Sequence, residues 1–186
     1  MPPPFFICVT NVCILIQRIW EVNKKSGTCV STYFVSKAAA QSGLKVALSG
    51  LGGDELLGGY PSFQHIPKMM KVAAPRHAIG RGLRVISEPV IRRFTSLKYA
   101  GIFEYGDSMG GAYLLRRGLY MPWELPDILD PDMVREGWSE LAPAARIDDT
   151  IPEGAATFSA ISALESTWYM RNMLLRDSDW AGKGLS

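Results

Sequence analysis

Lys45-Val46-Ala47-Leu48-Ser49-Gly50-Leu51-Gly52-Gly53-Asp54-Glu55-Leu56-Leu57-Gly58-Gly59-Tyr60 is the stretch on which the fold turns. The short apolar run from Lys45 to Leu48 has the length and composition of a strand, and it feeds directly into a glycine-rich turn. Asp54 then opens a helical run. Helix, strand, glycine turn and helix in succession are the grammar of an α/β nucleotide-type fold. Gly50, Gly52 and Gly53 permit positive φ and close backbone approach. Their N–H groups can line an anion, with the positive end of the following helix aimed at it. A phosphate or pyrophosphate suits such a place. Asp54 and Glu55 add hard oxygen ligands of the kind that Mg2+ uses beside phosphates. Two readings stand side by side: a phosphate cradle, or a tight strand-to-helix turn in which Asp54 is only an N-cap. The run is not a Walker A loop, because no Gly-Lys-Ser/Thr follows, and it is not G-x-G-x-x-G.

Upstream, residues 31–43 predict a helix. Tyr33, Phe34, Lys37, Ala38 and Gln41 keep three- and four-residue spacing, and Gly43 supplies a left-handed stop. Downstream, strand signals cease, and Pro61, Pro67, Pro75 and Pro89 punctuate short helical runs. Asp107 opens a run through Ala112, Leu115 and Arg116 that Gly118 ends. Asp130-Pro131 pairs an N-cap with proline at the first helical position, predicting a helix over 131–142. Thr150-x-x-Glu153 has the pattern of a capping box. It precedes the longest periodic run, with Ile161, Leu164, Trp168 and Leu175 on one face. Glu165 and Arg171 on that run are expected to form a structural ion pair, and Trp123, Trp138, Trp168 and Trp180 to serve the core or interfaces.

The chain has 186 residues, 47% of them hydrophobic and 20% charged, with a net charge of +2. These totals suit one foldable domain and exclude collagen-like, disulfide-scaffold and supercharged nucleic-acid-binding classes. The near-neutral sum hides an asymmetry. Residues 1–98 hold 13 Lys/Arg against 4 Asp/Glu, and residues 99–186 hold 7 against 14. Cys8, Cys13 and Cys29 make an odd set without C-x-x-C, and with only His65 and His77 no zinc spacing exists. Phe5 to Ile16 is too short to span a bilayer and lacks the charged start of a signal peptide. No membrane contact is expected. Arg76, Arg81, Arg84, Arg92 and Arg93 lack interleaved aromatic residues, so no nucleic-acid partner is expected either. His65 and His77 are solitary and fit surface or packing roles.

The central run resembles the SGxGGDELFGGY signature of glutamine-hydrolysing (B-type) asparagine synthases. The segments TYFVSKAAAQSG before it and Pro61-Ser62-Phe63 after it also resemble that family. So do GDSMGGAYLLRRGLYMPWELPDIL at 106–129 and ISALESTWYMRNMLLRDSDW at 161–180. The resemblance covers roughly residues 30–182. It implies an α/β, adenine-nucleotide alpha-hydrolase-like domain of PP-loop, Rossmann-like type, predominantly helical here with one or two short strands. It implies ATP and Mg2+, with aspartate as acceptor and ammonia supplied from glutamine by a separate glutaminase domain. Adenylation of the aspartate side chain is followed by displacement of AMP, in the cytoplasm, by an enzyme that can be a homodimer at full length. Ser49 and Gly50 match the ATP-contacting pair of the signature, Asp54 matches the acidic residue near Mg-pyrophosphate, and Glu55 is expected to orient the loop or helix. No general base is assigned.

The departures shape the expectation further. Pro2, not cysteine, follows Met1, and no SGGxDS loop precedes the central run. Leu51 stands where many members carry Glu or Asp, and Asp177 where relatives carry a basic phosphate contact. No S-x-E-x-R-x-P-F-L-D segment follows. Residues 1–29 are therefore expected to be foreign to the family and 30–186 to be a partial synthetase domain, with negligible asparagine synthesis by the chain alone. A related amidotransferase acting on another carboxylate, or a catalytically dead helical binding module, are the alternatives.

Overall fold

A computed structural model describes residues 28–44, 46, 48–73 and 97–183. Cys8, Cys13, His77, the arginines of 76–93 and the apolar run from Phe5 lie outside them. The chain forms two compact units: Met1–Gly52 together with Trp168–Ser186, and Gly53–Thr167.

In the first unit, α1 (Thr28–Gln41) is the helix expected from residue 31 onward, extended by three residues. It ends as the sequence predicts. Gly43 has φ +72°. Its N–H donates to Ala40 O at 3.0 Å, and the Leu44 N–H donates to Ala39 O at 3.0 Å. Together these bonds make a Schellman stop, which satisfies carbonyls that the helix end would otherwise orphan.

Of the strand expected over 45–48, Val46 and Leu48 are described: no strand occurs among the described residues, and these two are 77% and 98% exposed. A strand needs a neighbour to take its N–H and C=O groups. Val46 and Leu48 face water without one and belong to no regular element. Lys45 and Ala47 lie outside the described residues.

The second unit is helical. After α2 (Gly53–Leu57) come α3 (Ser62–Ala73), α4 (Ile102–Tyr105), α5 (Met109–Arg117), α6 (Pro131–Leu141), α7 (Pro143–Asp148) and α8 (Thr157–Leu164). Short 3-10 turns occupy Leu97–Gly101 and Leu125–Asp127. Along α3 the buried residues Ser62, Ile66, Met69 and Ala73 repeat at helical spacing and face α5. Pro67 lies inside α3 and does not end it. Ile66, Leu115, Met121, Ile161 and Leu164 are fully enclosed, each contributing roughly 1.5–3 kcal/mol relative to exposure. Helix α5 also packs on α7, and Gly110 makes that approach possible. A Cβ there would strike the Ala144 carbonyl, and its N–H donates to the Asp148 carboxylate.

Caps explain the boundaries. Ser108, rather than Asp107, caps α5 by accepting from Gly111 N–H at 3.0 Å, and Gly118 closes the helix. Asp130 caps α6 as predicted, accepting from Asp132 and Met133 N–H at 2.9 and 3.1 Å. The capping box at Thr150 does not form. The Thr150 hydroxyl donates to Ile147 O at 2.7 Å, finishing α7, and α8 starts only at Thr157. From Glu165 to Leu175 the chain winds as a π-helix before α9 (Arg176–Lys183) of the first unit, which packs on α1. An i→i+5 winding changes side-chain phase. The predicted apolar face therefore stays buried at Ile161 and Leu164 but is exposed at Leu175.

The expected pair of Glu165 with Arg171 is also replaced. Residues six apart face different sides of a helix, and Glu165 instead binds Arg117 of α5. Arg117 Nη2 donates to Glu165 Oε2 at 2.8 Å and Arg117 Nε to Oε1 at 3.2 Å. Tyr105 packs against Trp123 and Trp138, as expected of core aromatics, but Trp180 is largely exposed.

Two stability outcomes follow from these contacts. Asp130→Ala removes the acceptor for two α6 donors, so the urea midpoint should fall by the equivalent of about 1 kcal/mol with an unchanged slope. Glu165→Ala removes the bidentate carboxylate partner of a guanidinium that is 21% exposed. It should cost about 3 kcal/mol in the same titration, the low end for breaking a buried pair, because Arg117 keeps some water contact.

Candidate functional site

Beyond the Gly43 stop, the first unit carries Ser49, Gly50 and Gly52 on an open loop. Ser49 is exposed, and its hydroxyl faces the Leu51 N–H at 3.4 Å. A Cβ at Gly50 would meet no atom within 4 Å. Gly52 has φ +94°, and its missing Cβ would lie 3.7 Å from the Met170 sulfur. Gly50 is thus glycine at a place where neither packing nor positive φ demands it. Backbone bare of a side chain there is open to a ligand.

Gly53, Asp54 and Glu55 belong to the second unit, as the first turn of α2. Adjacent positions on a helix point about 100° apart, so only one of two consecutive carboxylates can face inward. Asp54 is exposed and Glu55 is 1% exposed. The helix is one turn long because Gly58, at φ +76°, reverses it, and the Gly59 N–H donates to Asp54 O at 2.9 Å. Positive φ favours glycine at 58, and a Cβ there would also lie 2.9 Å from the edge of the half-exposed Phe158 ring, which would have to shift. The Asp54 carboxylate lies over Gly59, in the space a Cβ would fill.

Behind this turn stands a linked set that no spacing rule reveals. The Tyr60 hydroxyl donates to Glu55 Oε1 at 2.9 Å. The Arg117 guanidinium lies 4.8 Å from the centre of the Tyr60 ring, within cation–π range, while its donors hold Glu165. Glu165 is fully buried. On the next residue back, the Leu164 carbonyl accepts from Tyr113 OH at 3.3 Å. Tyr60 closes the glycine motif and so carries a signal in the sequence. Glu165 shows in the sequence only as an ion-pair candidate on its own run, and Arg117, 48 positions earlier, carries no signal.

Among the described residues, no group of three or more His, Cys, Asp or Glu side chains gathers at a metal-sized site. A cation shared with phosphates needs less from the protein: Mg2+ keeps its waters and takes one or two carboxylates. Asp54, exposed and backed by small residues, fits that need. Glu55, turned inward and engaged by Tyr60, has its carboxylate committed elsewhere. No helix among the described residues is long and apolar enough to cross a membrane.

Comparison with protein families matches the asparagine synthase model over residues 16–184. No curated protein and no solved structure matches the chain. The match takes in the glycine loop, the one-turn helix, and Tyr60, Arg117 and Glu165 alike. The chain belongs to the asparagine synthase family, whose domain has the adenine-nucleotide alpha-hydrolase fold.

Proposed function

We propose that residues 30–186 carry part of the nucleotide site of an asparagine synthase-type ligase that adenylates the aspartate side chain with ATP. The family is one of ATP- and aspartate-using carbon–nitrogen ligases that act in asparagine biosynthesis. The reading for this chain is glutamine-dependent amide formation in the cytoplasm, with ammonia delivered by a glutaminase domain. The observation that carries it is Gly50, a glycine with open space where its side chain would be, on the loop leading to an exposed Asp54.

In this reading Ser49 offers a hydroxyl to the nucleotide, and the bare backbone at Gly50 and Gly52 lets phosphate oxygens approach N–H donors. Asp54 would be the carboxylate that holds Mg2+. When bound, the metal neutralises charge on the departing pyrophosphate. Glu55 does not touch the ligand, and its task is to seat the turn.

Gly50→Val separates the site from the fold, because a Cβ at this position has no atom within 4 Å beyond its chain neighbours. Its circular dichroism and urea midpoint should match the parent chain, while ATP affinity in titration calorimetry falls about tenfold or more from lost charged hydrogen bonds. Asp54→Asn should leave Mg2+-free ATP binding in place and abolish the gain on adding Mg2+. Unchanged ATP affinity in Gly50→Val would remove the loop from the nucleotide site.

A further inference from the structure

We infer that Tyr60, Arg117 and Glu165 are positioning residues for Asp54, acting through the buried carboxylate of Glu55. A five-residue helix cannot hold itself, because nucleation costs more than one turn of hydrogen bonds returns. Leu56 and Leu57 do not anchor α2, being mostly exposed. What enters the protein from this turn is the Glu55 side chain, and what meets it is the Tyr60 hydroxyl. The orientation of Asp54 is the orientation of Glu55 turned by one helical step.

The chain of contacts continues inward. The Tyr60 ring is covered by the Arg117 guanidinium at 4.8 Å, and that guanidinium is fixed by two bonds to the buried carboxylate of Glu165. A bidentate pair sets the plane of the guanidinium, where a single bond would let it swing. The rigid end of the series therefore lies at the start of the π-helix, in the second unit. The exposed end is the carboxylate read above as the metal-side ligand, and the functional consequence rests on that reading.

Amide exchange on the full 186-residue chain tests the positioning without a ligand. The Gly59 N–H, bonded to the Asp54 carbonyl, reports directly on whether the turn is closed. Tyr60→Phe removes one donor to a buried carboxylate and should speed exchange at residues 57–59 about five- to tenfold. Amides of α5 and α8 should be unaffected. Glu55→Gln keeps an acceptor oxygen for the Tyr60 hydroxyl and should stay within about twofold of the parent. Unchanged exchange at Gly59 in Tyr60→Phe would overturn the inference. So would equal acceleration throughout the second unit, which marks a merely structural role, or acceleration in Glu55→Gln as large as in Tyr60→Phe.

ATP titration with and without Mg2+ then tests the consequence. Tyr60→Phe should weaken only the Mg2+-dependent part of binding, and the double variant with Asp54→Asn should be no weaker than Asp54→Asn alone. A parent chain whose ATP binding ignores Mg2+ would refute the ligand reading and leave the exchange result to decide the positioning.

Discussion

Glu165 is a carboxylate with no exposed surface, and a charge so placed must be paired. Arg117 pairs it through one edge of its guanidinium, Nε and Nη2 each donating to one carboxylate oxygen. That requirement brings the C-terminal end of α5 to the point where α8 gives way to the π-helix. It also aims the remaining face of the guanidinium at Tyr60. The short α2 and the turn after it are then seated on a group that already has its own partner. Apolar packing of Ile66, Leu115, Ile161 and Leu164 supplies most of the favourable energy. It is non-directional, and the directional bonds decide which way the glycine turn faces.

Features governed by neighbours in the chain are legible from residues alone. Gly43 as a left-handed stop and Asp130-Pro131 as a helix start are local matters of φ, donors and acceptors, and the structure has both. The same logic fails at Thr150. Its hydroxyl has a carbonyl three residues back to reach for, and the preceding helix takes it. The strand over 45–48 is illegible for a different reason. Its apolar pattern is correct for a buried strand, but a strand exists only through its partners, and none lies among the described residues. The ion pair shows a third limit. Glu165 invites a partner on its own helix, yet the partner is 48 residues earlier.

The candidate site divides along the same line. That glycines would cluster before an acidic pair is evident from the motif. Which carboxylate faces out and which is buried depends on helical phase and on Tyr60, and only the folded arrangement distinguishes Asp54 from Glu55. Membership of the asparagine synthase family gives the motif its chemical context. The split between an exposed carboxylate and a seated one puts consecutive residues of like charge in two different surroundings.

Gly58 has a consequence for how this turn could change over generations. Its positive φ alone would admit asparagine, the side chain that best tolerates that region. The Phe158 ring adds a second demand, because a Cβ at 58 would press against its edge. A substitution at 58 must therefore displace the half-exposed Phe158 ring, at the expense of some of its packing against Phe63, and a smaller residue at 158 would lower that cost. The two positions are coupled through the geometry of a single missing methyl group.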